Sequence, residues 1–459
     1  MTVSAVIGGT VFTPQGPRLA DVVIEDGKIA ALGDAGLGDA GLSNGQHVDA
    51  AGCYVLPGGV DPHCHLMAGI QAATVAAAVG GTTTALSFTN PRAGESDLGC
   101  LLRCQADLAA RAPAIDVGLH ATLYDPGRAT TADLAAARQA GAAAVKVFLA
   151  YQELGIRCPA GKLFELMSSA QRLGIIAAVH CEDGALIDAL VAGALAAGRR
   201  GARVFADTRP AEAEEAAVAR TLAVASLTGA ACYLVHLSSA GAIEQVRLAR
   251  KKGSPRVFAE VCLHHLLLDD RGYAGPDAQR YLVAPPLRAG HHVEALWQAL
   301  ADGTIDTVGS DHCQERSATI AGFAPGGGSY RYGIAGLGAR LPLLLSAGQA
   351  RGIPVGRLIQ VASSNPARIF GHYPRKGALA AGSDADLIVY DPAGQTALGT
   401  VELSDGTGDS VYAGMPLLGR VRAVLLRGRL VASAGRFTGG DRTGGYLPAA
   451  ALELAPTRR

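Results

Sequence analysis

Residues 143–183, AAVKVFLAYQELGIRCPAGKLFELMSSAQRLGIIAAVHCED, decide the fold of this chain. Two short apolar runs, typical of buried strands, flank the segment GKLFELMSSAQRLG, which has helical periodicity. A strand, a helix and a second strand in this order indicate a parallel sheet covered by helices. The alternation recurs along the chain, with further strand candidates in YVLPGGVDPHCH, TTTALSF, IDVGLHATL, CYLVHLSS, RVFAEVCLHH and IDTVGSDHC. Eight such strands predict an α/β fold with a TIM-type (β/α)8 barrel.

Both ends of the chain have a sequence pattern typical of β structure without intervening helices. Short apolar runs broken by Gly, Asp and Pro follow one another in residues 1–55, and again from residue 377 onward. Two β segments at opposite ends of a chain can pair with each other. We therefore expect one small β domain built from residues 1–55 and 377–459, and a barrel over residues 56–376.

Composition and charge exclude several classes of protein. Charged residues make up 17% and hydrophobic residues 49% of the chain, which argues against disorder. Lys+Arg and Asp+Glu both number 40, so we expect no nucleic-acid partner. No apolar run reaches about 18 residues and the N-terminus lacks a signal-peptide pattern, so we expect no membrane association. The nine cysteines, an odd number in a long chain, favour a reducing compartment, the cytoplasm.

The strongest local signal is PGGVDPHCHL, which places His63 and His65 two residues apart after an apolar run. Residues two apart on a strand face the same way, so the two imidazoles can bind one metal ion. A pair of ordinary surface histidines is the alternative. Three further side chains of metal-ligand type also end apolar runs, where barrel active sites form: His180, His236 and Asp311. Five such residues at four strand ends favour a metal site.

Lys146 lies inside the apolar run GAAAVKVFLAY, in a chain with only six lysines. A buried ammonium is costly, so we expect its pKa to fall and the neutral amine to become available. A neutral amine can take up CO2 and form a carbamate, an anionic group that can bridge two metal ions. The alternative is a lysine whose ammonium extends to the end of the strand.

The motifs GGVDPHCH, VKVFLAY, VHCED, LVHLSS and GSDHC, in this order and spacing, resemble those of the cyclic amidohydrolases, most closely the hydantoinase and dihydropyrimidinase branch. The segment NPARIFGHYPRKGALAAGSDADLIVYDP is a further match, so the resemblance covers almost the whole chain. It implies a (β/α)8 barrel with a small β-sandwich built from both termini. It also implies a metal-dependent hydrolase that opens the cyclic amide bond of a hydantoin, a dihydropyrimidine or a related cyclic imide or ureide. The protein would act on a small molecule as a homo-oligomer, a tetramer or a dimer.

The resemblance also implies a metal ligand set. His63 and His65 would bind the more buried of two divalent ions, and His180 and His236 the more exposed one. The expected metal is Zn2+, with Mn2+ or Co2+ as alternatives. Lys146, carrying a carbamate derived from CO2, would bridge both ions, which together lower the pKa of a bridging water and polarise the amide carbonyl.

Four residues would act on the substrate by the same resemblance. Asp311 would ligate the buried ion and carry a proton from the attacking water to the leaving nitrogen. Tyr151 would donate a hydrogen bond to the oxyanion, although an ordinary strand-end aromatic is the alternative. Ala284 and Gly326 would contact the ring amide through backbone atoms, at positions where the branch often has Ser and Asn.

Departures from the family pattern leave the substrate open. The segment Leu66–Gly80 is shorter than is typical of hydantoinases, so we expect a more open pocket. Allantoinase shares the metal ligands but generally lacks the tyrosine found here at position 151. Dihydroorotase usually has Arg where Leu66 stands, a deaminase usually lacks the bridging lysine, and a non-catalytic scaffold of this fold loses ligands that are all present here.

Overall fold

The computed structural model describes residues 1–34, 46–66, 69–92, 94–253, 256–313, 333–398, 410–440 and 443–450. Its strands are β1 Val3–Thr13, β2 Gly16–Glu25, β3 Lys28–Gly33, β4 Gln46–Asp49, β5 Tyr54–Pro57, β6 Gly59–His65, β7 Thr82–Phe88, β8 Asp116–Thr122, β9 Ala144–Phe148, β10 Ile176–His180, β11 Cys232–Leu234, β12 Val257–Cys262, β13 Thr307–Gly309, β14 His312–Cys313, β15 Leu387–Ala397, β16 Pro416–Leu426, β17 Arg429–Ser433 and β18 Arg436–Phe437. Its α-helices are α1 Ile70–Val79, α2 Asp97–Arg111, α3 Thr131–Gln139, α4 Ala160–Leu173, α5 Gly184–Ala196, α6 Ala202–Asp207, α7 Ala211–Thr228, α8 Ala240–Lys251, α9 Leu263–Leu267, α10 Gly290–Asp302, α11 Arg340–Ala350, α12 Val355–Ile359 and α13 Asn365–Ile369.

Strands from the two ends of the chain form one sheet of nine strands, as far as the chain is described. Their order is β18-β17-β16-β15-β5-β1-β2-β3, and β4 pairs with β1. The two ends meet where β5 and β15 pair antiparallel, with Val55 opposite Val389. Apolar side chains of these strands, including Val11, Val22 and Leu425, are buried in one core. The predicted pairing of the two terminal β segments is therefore confirmed.

The other strands form a second nine-stranded sheet within the described residues. Its order is β13-β12-β11-β10-β9-β8-β7-β6-β14. Every neighbouring pair from β8 to β13 is parallel, and helices intervene between most successive strands. Parallel strands need such crossovers because each strand must return to the same edge before the next begins. The predicted α/β class with strand–helix alternation is confirmed.

The apolar run of residues 54–65 contributes one strand to each of the two sheets. Its pattern predicts one strand, but the structure divides it into β5 of the first sheet and β6 of the second. The break is Gly58, where a Cβ atom would lie 2.2 Å from Oγ1 of Thr83, too close for any side chain. Periodicity does not reveal this break, because both halves of the run are equally apolar.

The chain forms two compact units. The first unit comprises Met1–Leu86, Gln105–Gly118 and Ala335–Leu447, and the second comprises Ser87–Cys104, Leu119–Ile334 and Pro448–Arg459. The domain boundaries expected after residues 55 and 376 stay a prediction. Among the described residues, no helix has both the length and the apolar character needed to cross a membrane.

Candidate metal centre

Four of the predicted site residues lie near the carboxyl ends of parallel strands in the second unit. Lys146 lies in β9 and His180 is the last residue of β10. His236 follows β11 by two residues, and Asp311 follows β13 by two. All four are buried, with at most 9% of their surface exposed. Parallel strands bring their carboxyl ends to one edge of a sheet, which is where barrel enzymes carry their chemistry.

Three residues of the second unit have a left-handed backbone. The angle φ is 68° at Tyr151, 41° at His236 and 45° at Asp311. In the described part of this unit, no other residue except glycine has a positive φ. Each such conformation costs about 1–3 kcal/mol and persists only where surrounding contacts hold it. Backbone strain of this kind is concentrated at functional sites, and all three residues are sequence-predicted site residues.

His180 and His236 face each other through ring nitrogens. Nδ1 of His180 lies 2.9 Å from Nε2 of His236, and the ring centroids are 4.6 Å apart. Burial lowers the pKa of His180, although Glu182 opposes that shift. Two imidazole nitrogens directed at one point can share either a proton or a metal ion, and neutral imidazole is a preferred ligand of Zn2+. The pair therefore fits a divalent cation.

Glu182 and Arg209, which the motif search did not assign, hold His180 from its other side. Oε2 of Glu182 lies 2.8 Å from Nε2 of His180 and accepts a hydrogen bond of 2.8 Å from Nη1 of Arg209. Burial alone would raise the pKa of Glu182, but Arg209 and His180 outweigh it and hold that pKa at about 2. The signal for Glu182 was its place two residues after His180. Arg209 is 27 residues from Glu182 in the chain, and no local pattern connects them.

The motif HCED explains how the chain leaves β10. After the histidine and the buried glutamate, Asp183 is the N-cap of α5. Its Oδ1 accepts hydrogen bonds of 3.1 Å from the backbone N–H groups of Ala185 and Leu186. Four consecutive residues thus end a strand, place a carboxylate against the ring of His180 and begin a helix.

Lys146 is only 2% exposed, so its ammonium does not reach solvent. Nζ lies 4.5 Å from the ring centroid of Phe88 and 5.1 Å from that of Phe148. Burial lowers the pKa of Lys146 to about 8, against the opposing influence of Asp311 and Glu260. The neutral amine is therefore a larger fraction of the population at pH 7 than it is in an exposed lysine.

Tyr151 lies beside the same histidine pair. Its ring centroid is 5.0 Å from that of His180 and 5.6 Å from that of Phe148. The guanidinium carbon of Arg209 lies 5.3 Å from the centre of the tyrosine ring. With 8% of its surface exposed, Tyr151 is enclosed by these neighbours. The structure therefore brings Tyr151 together with His180.

Glu260 in β12 is a further buried carboxylate that the motif search did not single out. Its Oε1 accepts a hydrogen bond of 2.8 Å from the backbone N–H of His236, and its Oε2 accepts one of 2.7 Å from the hydroxyl of Tyr233. The first of these bonds supports the strained backbone of His236. The sequence pattern did not identify Glu260, because this residue lies within an apolar run rather than at its end.

A second cluster of possible metal ligands follows Glu260 directly in the chain. The predicted strand end RVFAEVCLHH divides into β12 and the short helix α9. Cys262, His264 and His265 are buried, and their ligand atoms lie within 4.8 Å of one another. Nε2 of His265 lies 3.0 Å from the carbonyl oxygen of Pro285.

The other predicted ligand pair belongs to the first unit. His63 and His65 lie at the carboxyl end of β6, with ring centroids 5.6 Å apart. His63 is buried and His65 is half-buried. The backbone N–H of His63 donates a hydrogen bond of 3.1 Å to Asp61. Their joint action with the residues of the second unit stays a prediction.

The predicted substrate contacts are only partly described. Ala284 is buried, with 7% of its surface exposed. Gly326 lies outside the described residues. Between His65, which ends β6, and Ile70, which begins α1, the chain has only residues 66–69, of which 67 and 68 are also outside the described residues.

Proteins named D-hydantoinase and dihydropyrimidinase are similar to this chain over nearly its whole length. The amidohydrolase family model matches residues 54–431. The chain is 35% identical to a D-hydantoinase of Streptomyces coelicolor, over 97% of this chain and 98% of that protein. It is 33% identical to a D-hydantoinase of Geobacillus stearothermophilus, over 96% of this chain and 95% of that protein. The crystal structure of dihydropyrimidinase from Brevibacillus agri superposes with a TM-score of 0.90 at 32% identity, covering 98% of this chain and 99% of that chain.

Proposed function

The chain belongs to the amidohydrolase family, and we propose that it hydrolyses the cyclic amide bond of a hydantoin, a dihydropyrimidine or a related cyclic imide or ureide. The observation that carries the proposal is the similarity, over nearly the full length, to proteins named D-hydantoinase and dihydropyrimidinase. Allantoin hydrolysis is the weaker alternative, because the relatives compared above carry hydantoinase and dihydropyrimidinase names and because Tyr151 is present. A non-catalytic scaffold is disfavoured because none of the expected ligands has been replaced.

We propose that the protein holds two divalent ions, in the first place Zn2+. The ligands would be His63, His65, His180, His236, Asp311 and a carboxylated Lys146. The fit is supported by the two facing imidazoles of His180 and His236 and by the buried amine of Lys146. When bound, such ions polarise a carbonyl oxygen and lower the pKa of a water molecule.

Carboxylation of Lys146 is supported by the environment of its amine. The lone pair of the neutral Nζ attacks the carbon of CO2, a new N–C bond forms, and one N–H proton passes to solvent. The product is a carbamate with one negative charge spread over two oxygens. Burial of the amine, which is only 2% exposed, favours this step, since it disfavours the ammonium form, which has no lone pair to offer.

During ring opening, Asp311 would transfer a proton and Tyr151 would stabilise the developing negative charge. Asp311 accepts a proton from the attacking water and delivers it to the ring nitrogen as the C–N bond breaks. The hydroxyl of Tyr151 donates a hydrogen bond to the carbonyl oxygen as that oxygen gains negative charge. The left-handed backbone of both residues supports these roles. Backbone atoms of Ala284 and Gly326 would hold the ring amide.

The cellular setting is part of the same proposal. All nine cysteines are free and eight of them are buried, which supports a reducing compartment, the cytoplasm. A homotetramer or a dimer is expected by analogy with the family. Size-exclusion chromatography with light scattering measures the oligomeric state directly.

Lys146→Ala tests the proposed activity. Metal content is measured by mass spectrometry, and ring opening is followed by ultraviolet absorbance on hydantoins, dihydropyrimidines, allantoin and cyclic imides. We expect two ions per wild-type chain and loss of one or both ions with nearly all activity in the variant, with partial rescue by short carboxylic acids. Lys251→Ala, at an exposed lysine, is the control and should behave as wild type. A wild-type protein that holds metal but opens none of these rings would refute the proposed function.

A further inference from the structure

Glu182 and Arg209 have no role in the chemistry proposed above. We propose that Glu182, clamped by Arg209, is a positioning residue that holds His180 in the tautomer whose Nδ1 faces His236. The inference rests on the proposed function, since it takes both histidines as ligands of one metal ion.

The first step is the enclosure of the carboxylate. Glu182 is 0% exposed and Arg209 is 7% exposed. Oε2 of Glu182 lies 2.8 Å from Nε2 of His180 and 2.8 Å from Nη1 of Arg209. Oε1 has no hydrogen-bond partner in the described part of the chain. A substitution of Glu182 therefore acts chiefly through His180 and Arg209.

The second step is the placement of the imidazole proton. A carboxylate paired with a guanidinium is ionised and can only accept hydrogen bonds. The nitrogen of His180 that it contacts must then be the donor, so the proton lies on Nε2. In neutral imidazole the other nitrogen carries the lone pair, and that nitrogen is Nδ1, 2.9 Å from Nε2 of His236. Glu182 thus selects the metal-binding form of His180.

The third step is the anchoring of Arg209. Its carbonyl oxygen accepts a hydrogen bond from Arg288. Arg288 in turn donates to Oγ of Ser238 at 3.1 Å and lies 3.3 Å from a carboxylate oxygen of Glu214. Ser238 follows His236 by two residues, so the same network touches the segments that carry both histidines. Partners that orient a metal-binding histidine typically contribute about 10–100-fold to metal affinity.

Three variants of the full-length protein test the proposal, with zinc affinity measured by chelator competition in bicarbonate buffer. Glu182→Leu keeps much of the side-chain volume and removes the acceptor, and it should weaken zinc binding at one site by about 10–100-fold. Glu182→Gln keeps an acceptor oxygen and should stay within about threefold of wild type. Glu95→Leu is the matched control, because Glu95 also pairs with an arginine, Arg103 at 2.8 Å, but takes no part in the network around His180, and it should also stay within about threefold. Equal affinity of Glu182→Leu and wild type, or an equal loss in Glu95→Leu, would overturn the positioning role.

A second measurement reports the tautomer of His180 directly in the wild-type protein. The 15N chemical shifts of the imidazole nitrogens in metal-free protein report which nitrogen carries the proton, with His180 assigned by comparison with His180→Gln. We expect the proton on Nε2, and a proton on Nδ1 would overturn the inference. A protein that binds zinc with the predicted ranking of variants but opens no cyclic amide would leave the positioning role standing while the proposed activity fails.

Discussion

Replacing Lys376 by methionine should destabilise the first unit by about 3–5 kcal/mol. Lys376 is 1% exposed, and its Nζ lies 2.7 Å from Asp116, 2.7 Å from Asp386 and 2.9 Å from Asp384. These three carboxylates are themselves at most 4% exposed. Methionine keeps most of the volume of the stem, so the main change is the loss of one ammonium among buried carboxylates. That loss leaves negative charges in a medium that solvates them poorly.

The pKa shifts predict the pH range of this effect. Burial alone would lower the pKa of Lys376, but Asp386, Asp116 and Asp384 outweigh it and raise that pKa above its ordinary value. The stabilisation from Lys376 is therefore complete below about pH 10 and is lost only as the pH rises through the raised pKa. Burial alone would raise the pKa of Asp384, but Lys376 and Arg375 hold it below its ordinary value. Its contribution is present above about pH 4 and is lost as the pH falls through the lowered pKa.

Calorimetric unfolding of the full chain between about pH 6 and 9 is the assay, since both groups keep their charge there. For a unit of this size, about 3–5 kcal/mol corresponds to a fall in Tm of roughly 6–20 °C. Lys28→Met is the matched control, because Nζ of Lys28 lies 3.4 Å from the same Asp384 but its side chain is 55% exposed. An exposed pair contributes about 0–1 kcal/mol, so its Tm should change little. If Lys376→Met lowers the Tm no more than Lys28→Met does, the buried cluster does not stabilise the unit as argued.

Three further predictions concern catalysis. Asp311→Asn should lower kcat far more than it raises KM, because it removes the proposed proton carrier. Steady-state kinetics on a hydantoin measures both constants, and a near-native kcat would place the base elsewhere. Tyr151→Phe should lower kcat by about 10²–10³ with metal content unchanged, and an unaltered rate would return this residue to a packing role. The segment Leu66–Gly80 is short, and we expect it to leave the pocket open. In that case kcat/KM should be higher for a hydantoin with a bulky 5-substituent than for dihydrouracil. A preference of about tenfold or more for dihydrouracil would mean that another segment closes the pocket.

Sequence alone could locate those candidate site residues that lie at the predicted ends of strands. His180 and Asp311 stand where apolar runs stop, and Lys146 is a charged residue inside such a run. Those features depend on a few neighbouring residues, because burial and strand periodicity are local properties of the chain. The strand–helix alternation that predicts the α/β class is local in the same sense.

Other features depend on residues that meet only after folding. Glu182 and Arg209 are 27 residues apart, and Asp116 and Lys376 are 260 apart, yet each pair is joined by a hydrogen bond. No periodicity relates such positions, so their pairing could not be read from the chain.

Sequence by itself determined the class of fold and the pairing of the two terminal β segments, and it predicted the residue types of the proposed metal site. Tertiary structure alone decided that one apolar run is divided between two sheets at Gly58. It also decided that this position must be glycine, since any side chain there would clash with Thr83. It also decided the left-handed backbone of Tyr151 and His236. The physical reason is that apolar patterning acts between near neighbours, whereas steric exclusion, backbone strain and buried charge pairing are set by whichever distant segments the fold packs together.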